Sequence, residues 1–139
     1  MTQVKQRLTE GGYTCVLRVG DREYCSTERG VKPLLAWLDT GESFRDAVAA
    51  DKVIGAGAAW LYVLLGVRAV WAAVISENAV RILEEHGIAV TYDTPVPYIR
   101  NRAGDGGCPI EACVEGITEP AAALAAIRAR LTKLIPQNR

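Results

Sequence analysis

The sequence predicts a single α/β domain, spanning residues 1–139, with a mixed β-sheet. Three observations predict this class. Two apolar-patterned segments flank a Gly-Asp turn near the amino terminus, which is typical of an antiparallel hairpin. A segment near the middle is apolar on all sides, as a helix buried in a core is. A strand, a helix and a second strand then follow one another, an order that gives a parallel pair through a right-handed crossover.

Helices are predicted on either side of the hairpin. The first lies within residues 1–12 and places Val4 and Leu8 on one face. The second covers residues 30–40, and Pro33 suits its first turn because no N–H donor is needed there. Both helices therefore present an apolar side that the sheet can cover.

The hairpin turn fixes a strand register. With strands at 13–19 and 22–26 and a two-residue turn, Val16 faces Cys25 and Cys15 points to the other side of the sheet. Cys15 and Cys25 therefore cannot form a disulfide in this register. A secreted disulfide framework is not expected for the four cysteines of this chain.

The middle of the chain is predicted to contain a buried helix, followed by a strand, a second helix and a second strand. A weak capping box at 43–46 stands in front of Ala47 and Val48, and Asp51 is expected to cap the next helix, at 55–65. The elements that follow are a strand at 69–75, a helix at 76–86 and a strand at 88–92.

The last third begins with a long irregular segment. Residues 93–107 are rich in Pro, Gly, Asn and Asp, and long loops in compact domains are often functional. A short helix at 108–114 and a longer one at 119–135 are predicted to close the domain.

Composition excludes several classes of protein. Sixteen basic residues balance sixteen acidic ones, so no net charge draws the chain to nucleic acid or to an anionic membrane. The amino terminus lacks the apolar core of a signal peptide. The apolar run at 53–67 is too short to span a bilayer comfortably and is predicted to be a buried core helix. We therefore expect a cytoplasmic protein with no nucleic-acid or membrane partner.

Several short sequence motifs show a more specific resemblance, to a known protein family. They are DKVIG at 51–55, YVLLGV at 62–67, VISE at 74–77, HGI at 86–88, PYI at 97–99, NR at 101–102, GDG at 104–106, and CP at 108–109 followed by Glu111. Over residues 13–119 the chain resembles the small prokaryotic proteins of domain-of-unknown-function family 1893 (DUF1893). That resemblance implies a cytidine-deaminase-like fold, a three-layer α-β-α sandwich.

The resemblance to deaminases does not extend to their zinc site. A zinc deaminase needs a His or Cys ligand and a Glu at one helix start, and Pro-Cys-x-x-Cys at the next. Here the two starts read GAGAA at 55–59 and SENA at 76–79, with neither thiol nor imidazole. We therefore predict no metal and no cofactor. The family pattern also implies Lys where this chain has Ala56 and Thr where it has Ala103.

Two helix starts without metal ligands are expected to present free N–H groups to one cleft, where they would attract an anion such as phosphate. Gly55 and Gly57 would allow a close approach, although tight helix packing also uses such residues. Ser76 is either a ligand contact, together with Glu77, or simply an N-cap. The predicted ligand-binding residues are Asp51, Lys52, Gly55, Ser76, Asn101, Arg102 and Asp105.

The polar loop contains the remaining candidates. Arg102 suits phosphate or carboxylate, and Asn101 offers donors and an acceptor; a solvated turn is the alternative. Cys108 at a helix start, with Glu111 three residues on, is the candidate catalytic pair. A buried, inert thiol is the alternative for Cys108.

The preferred hypothesis is a deaminase-like domain that binds a nucleotide-like molecule, ADP-ribose included, or another phosphorylated small molecule, without zinc-dependent deamination. Two further hypotheses stay open. One is a cysteine-dependent transferase or hydrolase that uses Cys108. The other is a non-catalytic partner or regulatory subunit. A homodimer is expected by analogy with deaminase-like proteins.

Overall fold

A five-stranded mixed sheet lies at the centre of the fold. The computed structural model describes residues 2–28, 30–99 and 109–134. The strands are β1 (Cys15–Val19), β2 (Arg22–Ser26), β3 (Val48–Ile54), β4 (Ala69–Ser76) and β5 (Ala89–Val96). Their spatial order is β2-β1-β3-β4-β5. Strand β1 is antiparallel to both of its neighbours, whereas β3, β4 and β5 are parallel. The predicted hairpin register is confirmed, since Val16 pairs with Cys25.

Helices cover both faces of this sheet. They are α1 (Thr2–Gly11), α2 (Lys32–Asp39), α3 (Ala56–Leu65), α4 (Glu77–Glu85), α5 (Pro109–Cys113) and α6 (Pro120–Leu134). The larger core lies between one face and the helices α2 to α6, with α3 in its middle. Helix α1 packs on the opposite face and forms a second, smaller core with β1, β3 and β4.

Helix α3 is buried because it has no polar stripe to present to water. Trp60, Leu61 and Tyr62 are all at most 3% exposed. The helix ends at Gly66, whose left-handed φ of 83° suits glycine and whose N–H reaches the carbonyl of Tyr62. None of the helices in the described ranges is long and apolar enough to cross a membrane.

Helix α1 is held to the sheet by the apolar face that the sequence predicts. Val4 and Leu8 are buried against a cluster that contains Val16 and Trp71. The Lys5 ammonium lies 4.7 Å from the centre of the Trp71 ring, a cation–π contact over the same patch.

Strand β3 is the main element that sequence patterning missed. The capping box at 43–46 starts no helix; Asp46 takes a left-handed φ of 65° in the turn that leads into β3. Asp51 lies inside β3, and Gly55 is the N-cap of α3, so the prediction that Asp51 caps that helix is wrong. The apolar run at 53–67 accordingly begins as strand and continues as helix.

Strand β5 also extends further than predicted. It runs to Val96, so the irregular segment starts after it and not at residue 93. Pro95 is tolerated in β5 because an edge strand has no neighbour on one side that needs its missing N–H. Residues 100–107 of the predicted loop and residue 108, the predicted start of the next helix, lie outside the described residues.

Candidate functional site

A cleft opens where two parallel strands end. Strands β3 and β4 lead directly into α3 and α4, so both helices begin at the same edge of the sheet. Ligands of α/β proteins commonly bind outside this carboxyl edge. The cleft has a volume of about 310 Å³. Its lining includes Ala56 and Trp60 of α3, Asn78 and Arg81 of α4, Glu111 of α5 and Val114 in the turn that follows it. We refer to it as the α3–α4–α5 cleft.

The carboxylate of Glu111 occupies the amino-terminal end of α3. Its Oε2 accepts a hydrogen bond of 3.0 Å from the Ala56 N–H, the first free donor of that helix. Its Oε1 accepts a bond of 2.6 Å from the N–H of Ile99, just beyond β5. A negative charge is favourable at this positive end of the helix dipole. Glu111 thereby joins α5, α3 and the chain after β5.

The amino-terminal end of α4 has an internal acceptor of its own. Ser76 is fully buried, and its Oγ accepts a hydrogen bond of 3.2 Å from the Ala79 N–H. This is the N-cap arrangement that the sequence suggested. The expectation of two vacant helix ends is therefore corrected: both ends border the cleft, but Glu111 and Ser76 each satisfy one of their donors.

The two glycines at the start of α3 allow close packing. A Cβ atom added to Gly57 would lie 2.6 Å from Cγ2 of Ile110 in α5. One added to Gly55 would lie 3.0 Å from Cγ1 of Ile99. Real Cβ contacts are longer than the first of these, so α5 sits as near to α3 as it does because residue 57 has no side chain. This geometry favours the packing interpretation of the GAG sequence.

Two of the predicted ligand-binding residues lie apart from the cleft lining. Asp51 is 6% exposed in the core, where its Oδ2 accepts a hydrogen bond of 2.7 Å from the hydroxyl of Tyr62. Lys52 is exposed on β3. Neither therefore belongs to the residues that form the cleft. Gly55 and Ser76 border it only through the helix ends that they begin.

Asn101, Arg102, Asp105 and Cys108 lie outside the described residues. The catalytic pairing of Cys108 with Glu111 therefore stays a prediction, as does the cysteine-dependent reaction.

Sequence reasoning missed the side chains that α4 contributes to the cleft. Asn78 and Arg81 are one turn apart on this helix, and Nη2 of Arg81 donates a hydrogen bond of 3.3 Å to Oδ1 of Asn78. Arg81 also forms an exposed ion pair of 3.6 Å with Glu85, and its side chain is 58% exposed. The signal was present in the sequence: a helix that begins beside the cleft presents its residues three apart on one side.

The described residues do not fit a zinc site. No group of three or more His, Cys, Asp or Glu side chains within the described ranges is arranged to hold a metal ion. The start of α3, Gly55–Ala59, has no donor side chain, and at the start of α4, Ser76–Ala79, the serine hydroxyl is used as a cap.

The fold and the cleft define an α/β domain in which parallel strands lead into two helix starts that border one cleft. The family model for a domain of unknown function, DUF1893, matches residues 3–131. The chain therefore belongs to the DUF1893 family, as its sequence motifs predicted. No curated protein matches the chain closely enough to count as a relative.

Two solved structures are similar to this chain to different degrees. The crystal structure of a DUF1893 family protein from Thermotoga maritima has a TM-score of 0.82, covers 95% of this chain and 88% of that one, and is 23% identical. This likeness confirms the predicted α/β fold. A diaminohydroxyphosphoribosylaminopyrimidine deaminase/5-amino-6-(5-phosphoribosylamino)uracil reductase from the same organism has a TM-score of 0.46 and 17% identity, over 67% of this chain and 35% of that one.

Proposed function

We propose that the protein binds a nucleotide-like or phosphorylated small molecule in the α3–α4–α5 cleft and does not carry out zinc-dependent deamination. The observation that carries this proposal is the cleft at the carboxyl edge of the parallel strands, which has Arg81 and Asn78 on one side and Glu111 on the other. The volume of about 310 Å³ is at the lower end of the range for small-molecule sites, so it suits part of a nucleotide or a phosphosugar.

The charges around the cleft orient such a ligand. Glu111 makes the α3 end negative, and Glu115 in the following turn adds a second carboxylate to the lining. Arg81 contributes a guanidinium from α4, where Asn78 lies next to it. A phosphate is therefore expected at the Arg81 side, because guanidinium groups pair well with phosphate and the carboxylates repel it. We expect the neutral part of the ligand, which carries hydrogen-bond donors, to lie near the carboxylate of Glu111.

Binding without zinc chemistry is supported by the helix starts themselves. Glu111 accepts hydrogen bonds from two backbone N–H groups, one of them at the α3 start. In a metal-dependent deaminase this region supplies a ligand and a proton-transferring Glu to an activated water. In this chain the Glu111 carboxylate binds the start of α3 instead, and this contact is structural.

Replacing Arg81 with Gln is expected to weaken ligand binding at least about tenfold, because a charge-assisted hydrogen bond to phosphate contributes about 1.5–3 kcal/mol. Wild-type protein is first screened by thermal shift against ADP-ribose, nucleotides and phosphosugars at concentrations of order mM. The best compound is then titrated by calorimetry into wild-type and Arg81→Gln protein.

Arg128→Gln is the matched control for this experiment. Arg128 also forms one exposed ion pair, at 2.8 Å to Asp39, but it belongs to α6 and not to the cleft lining. We expect the Arg128→Gln protein to bind the ligand with the affinity of the wild-type protein. It fails if no compound shifts the melting temperature of the wild-type protein, or if the two variants bind equally well.

A further inference from the structure

Three protonatable side chains from three elements meet in the core. Tyr62 of α3 donates a hydrogen bond of 2.7 Å to Oδ2 of Asp51 in β3. The Sγ of Cys15 in β1 lies 3.2 Å from the same Tyr62 hydroxyl, and either atom can be the donor. Cys15 and Asp51 are paired residues of adjacent antiparallel strands. All three residues are at most 6% exposed. We name them the Cys15–Tyr62–Asp51 cluster.

Asp51 is paired with no positively charged side chain in the part of the chain that the structure describes. Its second oxygen, Oδ1, accepts a hydrogen bond of 3.2 Å from the Val53 N–H. Ala72, its paired residue on β4, has no titratable group, and the neighbouring Lys52 is exposed. Within the described residues, no ion pair involves Asp51. An ionised carboxylate at this position is therefore stabilised by hydrogen bonds alone, and burying it is costly.

The same geometry satisfies two proton arrangements. With Asp51 ionised, the Cys15 thiol donates to the Tyr62 oxygen and the Tyr62 hydroxyl donates to Asp51. With Asp51 protonated, its Oδ2–H donates to the Tyr62 oxygen and the Tyr62 hydroxyl turns to the Cys15 sulfur. Adding one proton therefore reverses both hydrogen bonds and keeps both hydroxyl hydrogens bonded; in the second arrangement the weakly donating Cys15 S–H is the one hydrogen of the cluster with no acceptor inside it.

We propose that the Cys15–Tyr62–Asp51 cluster is a proton-binding element that makes the folded protein more stable in mildly acidic than in mildly alkaline solution. The three side chains belong to β1, β3 and α3, so a change in their protonation alters contacts between elements at the centre of the fold. The proposal is independent of the ligand proposed above.

The direction of the pH effect follows from burial. Burial raises the pKa of Asp51 from 3.8 to about 7, and the hydrogen bonds from Tyr62 and from the backbone only partly oppose this. Burial also raises the pKa values of Cys15 and Tyr62, which therefore stay protonated at neutral pH. Between about pH 4 and pH 7 the folded chain holds a proton on Asp51 that the unfolded chain has lost. The contribution of the Asp51 proton to the free energy of unfolding is complete below this pH window, and it is lost as the pH rises through the window.

Urea unfolding of wild-type and Asp51→Asn protein between about pH 5 and pH 9 tests the proposal. Asn imitates the protonated acid, because its NH2 donates to Tyr62 while its oxygen still accepts from Val53. Relative to the variant, the wild-type folding equilibrium constant is expected to fall about fiftyfold between pH 5 and pH 7, from the two pKa values of Asp51. Asp21→Asn, at an exposed residue of the hairpin turn, is the control and is expected to leave the wild-type pH dependence unchanged. If the free energy of unfolding depends on pH in the same way in wild-type and Asp51→Asn protein, the proposal is overturned.

A second measurement does not depend on how well Asp51→Asn folds. The carboxyl carbon of Asp51 in the wild-type protein is followed by NMR as the pH is changed. A midpoint near neutral pH supports the proposal, and a midpoint below about pH 5 overturns it. In Tyr62→Phe protein the carboxylate loses its hydroxyl donor, so the midpoint is expected to move to higher pH.

Discussion

Replacing Glu111 with Ala is expected to lower the free energy of unfolding by about 2–4 kcal/mol. The change removes two hydrogen bonds to a charged acceptor and leaves the N–H groups of Ala56 and Ile99 without this partner. It also removes a negative charge from the positive end of α3, which contributes about 0.3–1 kcal/mol. Chemical denaturation followed by circular dichroism measures the loss. Glu111→Gln, which keeps an acceptor oxygen but no charge, is expected to lose less.

Glu115→Ala is the matched control for Glu111→Ala. Glu115 lies in the turn after α5 and lines the same cleft, but it is exposed. Its replacement is expected to change the free energy of unfolding by less than about 0.5 kcal/mol. Equal, small losses in both variants would mean that the Glu111 carboxylate does not hold the start of α3.

Replacing Gly57 with Ala is expected to destabilise the protein by about 2 kcal/mol, although Gly to Ala in a helix normally stabilises by up to about 1 kcal/mol. The sign reverses because the new Cβ would lie 2.6 Å from Cγ2 of Ile110. That methyl group is on a β-branched side chain with little freedom to turn away. Thermal and urea unfolding of the variant measure the effect.

A double-mutant cycle with Ile110→Ala isolates this contact. Ile110→Ala removes the methyl group that Gly57→Ala would strike, so Gly57→Ala is expected to be neutral or stabilising in that background. A coupling energy near zero would contradict the close approach of α5 to α3. The same cycle tests whether residue 57 is small for packing, since a ligand-approach role alone would leave stability unaffected.

Much of the fold was predictable because its elements have one-sided or uniform patterns. The amphipathic α1, the hairpin and the wholly apolar α3 each contain their own signal, and all three were predicted close to their observed bounds. Strand β3 was not predictable in the same way. It carries a buried Asp51, and a carboxyl group in a run of residues normally indicates a helix cap or a loop. Its burial is explained by the contact with Tyr62, eleven residues away on another element, together with the hydrogen bond from the Val53 N–H.

The site was predictable in position but not in its contacts. The helix starts at Gly55 and Ser76 were identified, and they do border one cleft. The role of Glu111 was not found, because its partner Ala56 is 55 residues away in sequence. Sequence spacing reports neighbours on one helix or strand, whereas this contact depends on how α5 packs against α3. Arg81 was overlooked for a simpler reason: an exposed Arg on a helix resembles any solvated charge.

The most direct test of a ligand site in the α3–α4–α5 cleft is a map of the amide signals that move when ligand is added. ¹⁵N-labelled protein is titrated with ADP-ribose, with the unlinked nucleotide and phosphosugar as further additions. The account predicts the largest changes at Ala56, Asn78, Arg81 and Thr118, which surround the cleft. Changes confined to the shallow groove of Gln3, Arg7 and Arg18 beside α1, or no changes at all, would contradict it.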